Sequence, residues 1–229
     1  MSTVAVLAGG TGSRFAASYP KELHVLAPGV SVIDPLMTSI MALTPTTKAL
    51  VVVSTAKLAL ISHLHRFRGQ CAFVFQQPQH GSGLPAALRA ARPWCDDTVL
   101  ICLADQVYLS DPGPAFTAAL SMIGTGAPMA VVATECADPD RLRHEGALTV
   151  TAAAVTAAAE KPHDPTGFNA CWSALAMTRT MLSRLADDLD AGHTGCLVGA
   201  PVVWGPEFVN INHPADAALA AVAYQDTNR

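Results

Sequence analysis

Charge is scarce in this chain. Asp, Glu, Lys and Arg make up 14% of the 229 residues and leave a formal net charge of -4. A general electrostatic grip on nucleic acid needs a clustered Lys/Arg face, so nucleic acid is not an expected partner and any phosphate must be held locally. No basic leader, long apolar segment or cleavage site accompanies the first apolar run at Val4–Ala8. The expectation is a cytoplasmic protein with neither signal peptide nor membrane span. C-x-x-C pairs are also missing: Cys71, Cys95, Cys102, Cys136, Cys171 and Cys196 are scattered, several inside apolar runs. They read as reduced core thiols rather than disulfides or zinc ligands. Repeats, linkers and low-complexity segments are absent beyond local alanine richness.

What is plentiful is apolar material, at 51% of residues, enough for a large core. The length permits one α/β domain or two small ones, and one is favoured. Short β-rich runs at Val4–Ala8, Ala49–Ser54, Cys71–Gln76 and Val99–Ala104 alternate with helix-like segments, "VIDPLMTSIMAL", "KLALISHLHRF" and "SGLPAALRAAR". That rhythm predicts a mostly parallel, Rossmann-like sheet between two helical layers, with right-handed crossovers. After Asp105 it loosens. A helix near Pro114–Ile123 is followed by strand-like runs at Pro128–Thr134, Ala147–Thr151 and Ala170–Leu175, helices at Thr178–Asp188 and Pro214–Tyr224, and a strand within "CLVGAPVVW". "TAAAVTAAAE" at Thr151–Glu160 fits helix or strand. His63 and His65, two apart, point in different directions on a helix and read as surface or boundary residues.

"LAGGTGSRFAASYPKELHVL" at Leu7–Leu26 follows the first strand. Its glycines, Gly9, Gly10 and Gly12, let successive main-chain N–H groups approach phosphate oxygens, and Arg14 and Lys21 add positive charge. The spacing fits neither common phosphate fingerprint: a dinucleotide motif meets Phe15 at its third glycine, and a Walker loop meets Arg14 where lysine belongs. The stretch resembles the L-x-x-G-x-G-x-R…P-K signature of the sugar-1-phosphate nucleotidyltransferases, also called nucleotide-diphosphate-sugar pyrophosphorylases. That resemblance implies a nucleotide-binding half of about residues 1–110 and an acceptor-binding half of about 111–229, the latter with a small β-rich acceptor subregion, within one nucleotidyltransferase domain. Leu7, Ala8, Gly9, Gly10, Gly12 and Ser13 would hold the nucleotide, with Arg14, Lys21 and Asp105 catalytic.

Four further stretches follow in the order that the family uses. "FQQPQHGSGLPAAL" implies base reading by Gln76 and Gly81 with Ser82 nearby; Gln77 competes with Gln76, and a helix cap by Ser82 is the plain alternative. "VLICLADQVYL" ends a strand in Asp105, which the resemblance makes a Mg²⁺ ligand and which as a bare residue would cap a helix. "EGALTVTAAAVTAAAEKP" implies acceptor contacts from Gly146, Glu160 and Lys161, and "FNACWSALAM" one from Asn169. In "VNINHPADAALAAVA" Asn212 would join Asp105 at the metal, with Asn210 as the competing ligand and a cap before Pro214 as the plain alternative.

The implied activity is Mg²⁺-dependent transfer of a nucleotidyl group from a nucleoside triphosphate to a sugar 1-phosphate, with release of pyrophosphate. UTP or dTTP is favoured, then CTP. Two departures leave the acceptor open: "PKELH" is similar to uridylyltransferases of N-acetylglucosamine 1-phosphate while "EKP" is similar to glucosyl-nucleotide makers, and Cys171 stands where many members have glycine. Cytidylyl or guanylyl transfer to a non-sugar phosphate or phosphonate, and a catalytically silent binding protein of the same fold, are the alternatives. A homodimer is one option for the assembly, which the sequence leaves undetermined.

Overall fold

The computed structural model describes all residues except 11, 13, 14, 16, 45, 46, 68, 78, 80, 228 and 229. Strand β1 (Ser2–Ala8) leads through a small antiparallel pair, β2 (Val25–Ala27) and β3 (Val30–Ser31), into helix α1 (Ile33–Ala42). Then come β4 (Thr47–Val53), α2 (Leu58–Leu64), β5 (Cys71–Phe75), α3 (Gly83–Ala91), β6 (Thr98–Leu103) and β7 (Gln106–Tyr108). The second half runs α4 (Gly113–Gly124), β8 (Met129–Glu135), the one-turn α5 (Pro139–Leu142), β9 (Gly146–Thr151), β10 (Ala154–Glu160) and β11 (Ala170–Thr178). Helix α6 (Arg179–Asp190), β12 (Val202–Trp204), β13 (Phe208–Asn210) and α7 (Pro214–Thr227) complete it.

The main sheet runs β12-β8-β11-β6-β1-β4-β5, and the β9–β10 hairpin joins the start of β11. Every neighbour pair along this run is parallel except the two made by β11, which is antiparallel to both β6 and β8. The chain leaves β1 outward to β4 and β5, then crosses back to β6 on the other side of β1. The strand order therefore reverses between β1 and β6, the place where open α/β sheets bind ligands beyond their carboxyl ends.

Alternation along the strands divides the core. Val4, Val6 and Ala8 face α1, α2 and α4, while Ala5 and Leu7 face α3 and α6, giving the expected three layers. In α1 the buried residues Ile33, Leu36, Met37 and Ile40 lie at the i, i+3, i+4, i+7 spacing of one helical face, and each fully buried aliphatic side chain stabilises by roughly 1.5–3 kcal/mol. A satellite cluster of Phe15, Leu26, Val32, Val107, Ile211, Ala217 and Ala220 seats α7 against β2 and β7.

The expected strands and helices of the first half are present with small boundary shifts. Two later stretches resolve differently. "TAAAVTAAAE" becomes a two-residue turn and strand β10, because antiparallel pairing with β9 overrides the helical preference of alanine. "CLVGAPVVW" is strand only at Val202–Trp204; a 3-10 turn occupies Gly195–Leu197, and Gly199 at φ +86° and Pro201 separate the two. All six cysteines are free. His65 is exposed, as the spacing suggests, but half-buried His63 reaches Asp34 at 2.7 Å. Among the described residues no helix is long and apolar enough to cross a membrane.

Candidate functional site

A cleft of about 460 Å³ opens at the reversal between β1 and β6, and a smaller cavity of about 140 Å³ adjoins it. Leu84, Leu103, Asp105, Lys161 and Asn212 line both. A larger and more apolar groove of about 560 Å³, between α1 and the segment after β7, gathers none of the residues singled out in the sequence.

One wall of the cleft is main chain. Gly9, Gly10 and Gly12 follow β1 directly and line it with Leu7. Gly12 sits at φ +64°, a conformation that other residues adopt only with strain. Gly9 has a packing reason as well: a Cβ there would lie 2.0 Å from Gln76 Oε1. Ala8 departs from its expected role, since strand alternation turns it into the core under α1 and α2. Ser13 and Arg14 lie outside the described residues.

The opposite wall comes from the β5–α3 connection. Gln76 N–H donates to the Val53 carbonyl at 2.8 Å, so β4 holds it beside the glycine loop. Its side chain lines the cleft, with Oε1 enclosed and without a hydrogen-bond partner among the described residues. Gln77 is exposed and bonded to Gln79, so the geometry separates the two glutamines. Ser82 and Gly83 line the cleft, and the Ser82 hydroxyl does not cap α3. Gly81, at φ +83°, shapes the turn and is not among the lining residues.

Lys21 and Asp105 meet where the two spaces join. The Lys21 ammonium donates to Asp105 Oδ2 at 2.5 Å and to the Ile211 carbonyl at 2.7 Å. Asp105 lies in the turn between β6 and β7 and caps no helix. Ile211 N–H in turn donates to the Asp105 carbonyl at 2.8 Å, which ties the segment after β13 to the same point. Asn212 lines both spaces, and the start of α7 is capped by other groups: His213 N–H and Asn212 N–H donate to Asp216 Oδ2 at 2.7 and 2.8 Å. This is the reciprocal cap of a carboxylate three residues into a helix. Asn210 lines the smaller cavity; its side-chain N–H donates to Glu145 Oε2, while its Oδ1 is buried and has no hydrogen-bond partner among the described residues.

The smaller cavity is built from side chains. Gly146 opens β9 opposite Glu160 in the hairpin register. A Cβ on Gly146 would fall 1.7 Å from Trp172 Nε1, so the indole occupies the space that a side chain would need. Glu160 and Lys161 both face the cavity and approach each other at 3.4 Å. Asn169 does not join them. It donates to the Val150 carbonyl at 3.1 Å and accepts from Val150 N–H at 2.8 Å, bracing the far end of β9.

Among the cavity residues that were not anticipated, two shape it most. Trp172 is aimed by a register shift between Trp172 and Ala174 in β11, the kind of bulge that redirects a side chain. Glu145 is only 8% exposed. Burial pushes its carboxyl up to about 7; Arg141 opposes the rise, while the charges of Asp105 and Glu160 add to it. Arg141 lies 3.9 Å away, beyond hydrogen-bonding distance, and its guanidinium donates instead to the Phe208 carbonyl. The only hint in the sequence is a carboxylate at the head of an apolar run, beside Gly146.

For a metal, the oxygen donors at hand are the Asp105 carboxylate and the Asn212 side-chain amide. That small, hard set suits Mg²⁺, which takes one or two protein oxygens and leaves its other positions to water and phosphate. Among the described residues no group of three or more His, Cys, Asp or Glu is gathered into a metal cage.

A glycine-lined cleft at the strand-order reversal, with a lysine and an aspartate at its inner end, defines the class of protein as an α/β nucleotidyltransferase fold. Residues 4–206 match the MobA-like NTP transferase domain, and the chain belongs to that family. It is 39% identical over 83 residues to the bifunctional protein GlmU of Prochlorococcus marinus strain NATL2A, covering 36% of this chain and 18% of that protein. It is 31% identical over 141 residues to GlmU of strain MIT 9313, covering 61% and 30%. The chain thus matches less than a third of the length of these relatives. Among solved structures it superposes on a putative glucose-1-phosphate thymidylyltransferase from Bacillus anthracis with a TM-score of 0.80 at 15% identity, covering 98% of this chain and 95% of that one. It also superposes on the UDP-glucose pyrophosphorylase from Acinetobacter baumannii with a TM-score of 0.76 at 13% identity, covering 98% and 93%. At such identities these two likenesses establish the fold.

Proposed function

We propose that the chain is a Mg²⁺-dependent nucleotidyltransferase that joins a nucleoside triphosphate to a sugar 1-phosphate or similar phosphorylated acceptor and releases pyrophosphate. The observation that carries this reading is the placement of Lys21, whose ammonium sits on Asp105 at the junction of the cleft and the smaller cavity. A cation there faces whatever bridges the two spaces.

An acceptor phosphate is already an anionic nucleophile at neutral pH, so no general base is required. The obstacle is repulsion between two polyanions, which alignment and charge neutralisation overcome. Lys21 holds the α-phosphate and the incoming phosphate together. The Gly9–Gly12 loop cradles the remaining phosphates, and Arg14 serves the departing pyrophosphate, as the family resemblance implies. Lys161 adds a second cation on the cavity side. Asp105 and Asn212 would hold Mg²⁺, which would supply neutralisation of the phosphate charge. The free Gln76 Oε1 favours UTP or dTTP, because uracil and thymine present an N3–H donor that cytosine lacks.

One observation supports a second reading, a non-sugar phosphate or phosphonate as acceptor. The cavity is small, and Asn169, a sugar contact in the family, spends its amide on the backbone of β9. A matrix of the common nucleoside triphosphates against phosphorylated acceptors, with and without Mg²⁺ and read by pyrophosphate release, tests both. Nucleotide binding without pyrophosphate release from any pair would reject the enzyme reading in favour of a silent binding protein.

A further inference from the structure

The turn that carries Lys21 is anchored by a second ion pair outside the cleft. Glu22 and Lys57 are enclosed, their side chains 2% and 4% exposed, and the Lys57 ammonium donates to Glu22 Oε1 at 2.6 Å. Lys57 closes the 3-10 turn Thr55–Lys57 that follows β4, so it rises from the same carboxyl-end edge of the sheet as the glycine loop. Neither residue lines the cleft or the cavity.

Stability gives little reason for this pair. Enclosing two charges is costly, and well-packed apolar residues of similar volume commonly do as well or better. Glu22 Oε2 raises the cost, being buried with no hydrogen-bond partner among the described residues. What the pair does accomplish is geometric. Lys21–Leu23 is a single 3-10 turn, closed by Leu23 N–H to the Pro20 carbonyl at 2.9 Å and His24 N–H to the Lys21 carbonyl at 3.0 Å, with no side-chain cap. So short a turn has weak internal hydrogen-bond geometry. Fixing the side chain of residue 22 fixes the backbone from which residue 21 extends.

We infer that the buried Lys57–Glu22 ion pair is a positioning device for nucleotidyl transfer: it locks the Lys21–Leu23 turn so that the Lys21 ammonium stays on Asp105. This rests on the role assigned to Lys21 above. Neither Lys57 nor Glu22 touches a reactant, so both act through Lys21.

Two variants test it. Glu22→Gln keeps the shape and removes the charge, and Glu22→Leu combined with Lys57→Met replaces the pair by apolar groups. The direct readout is ¹⁵N NMR of the lysine ammonium groups, tractable because the chain has four lysines. In both variants the Lys21 signal should lose its protection from hydrogen exchange. Turnover by pyrophosphate release should fall at least about tenfold in both. Glu22→Gln, which strands the buried Lys57 charge, should also melt lower. The apolar double variant should keep thermal stability and UTP affinity nearly unchanged, the signature of a loss confined to the transition state. Lys57→Arg, which keeps the charge, should restore most of the turnover. An unmoved Lys21 signal overturns the proposal, and so does a parallel loss of stability, affinity and turnover in the apolar double variant. If the parent protein releases no pyrophosphate from any substrate pair, the functional reading fails, while the NMR result still decides whether the pair positions Lys21.

Discussion

The cleft and the smaller cavity are made by different means. The cleft has one wall of main chain at the end of a parallel strand, where Gly9, Gly10 and Gly12 leave the backbone bare. The cavity is walled by side chains, Glu145, Glu160, Trp172 and Asn210, drawn from a hairpin, an antiparallel strand and a short edge strand. Backbone walls suit a ligand part that many proteins share, such as a phosphate chain. Side-chain walls suit a part that differs from one substrate to the next.

The largest effect should come at the junction. Lys21→Ala should lower turnover by roughly 10²–10³-fold, the scale of losing one preorganised charge donor, while nucleotide affinity measured by calorimetry changes far less. Equal losses in both would mean that Lys21 only binds. Next is the side-chain wall itself. The Glu145 carboxyl, raised to about 7 by burial, disfavours the folded state as it ionises. That penalty is absent below the ordinary value of 4.5, grows as pH climbs from there to about 7, and is complete above it. Glu145→Gln should therefore stabilise the protein by up to about 3 kcal/mol near pH 8, at ~1.4 kcal/mol per unit, and by almost nothing at or below pH 4.5. Chemical denaturation at the two pH values reads this directly, and a pH-independent difference would contradict it.

Paired glycine variants sharpen the contrast. In Gly146→Ala the new Cβ meets the rigid indole of Trp172, and overpacking of this kind costs roughly 1–3 kcal/mol of stability. In Gly9→Ala the obstacle is the end of the flexible Gln76 side chain, which can swing aside. That variant should keep its melting temperature and lose nucleotide affinity by about tenfold, or ~1.4 kcal/mol. If both glycines behaved alike, the distinction between the walls would be lost. The smallest effect lies away from both spaces, in the hairpin turn. Ala152 and Ala153 sit at φ 50° and 59°, a left-handed pair that Asn-Gly adopts readily and alanine does not. Replacing them with Asn-Gly should stabilise by roughly 1–2 kcal/mol, seen as a higher melting temperature at unchanged activity.

The contrast also explains what could be read in advance. The parallel half was legible because its strands are apolar runs and several of the cleft-lining groups, though not Lys21, follow a strand end within a few residues. Gly9, Gln76 and Asp105 all obey that rule. The cavity was legible only in part: Gly146, Glu160 and Lys161 were foreseen, whereas Glu145 and Trp172 come to it from separate elements and no local pattern marks them. Asn169 was misread for the same reason: its neighbour in space is the backbone of Val150, which nothing adjacent in sequence announces. The alanine-rich stretch Thr151–Glu160, which propensity leaves open between helix and strand, was decided by pairing with β9.

Strand β11 carries a consequence for dividing the protein. It is paired with β6 along Ala174–Thr178, with β8 along Ala170–Met177 and with β9 at Ala170–Cys171. A cut near residue 110 would strip β6 of this partner and leave both fragments with a bare strand edge, prone to aggregate or to recombine. Complementation of the two fragments, rather than independent folding of either, is the behaviour that such a seam imposes.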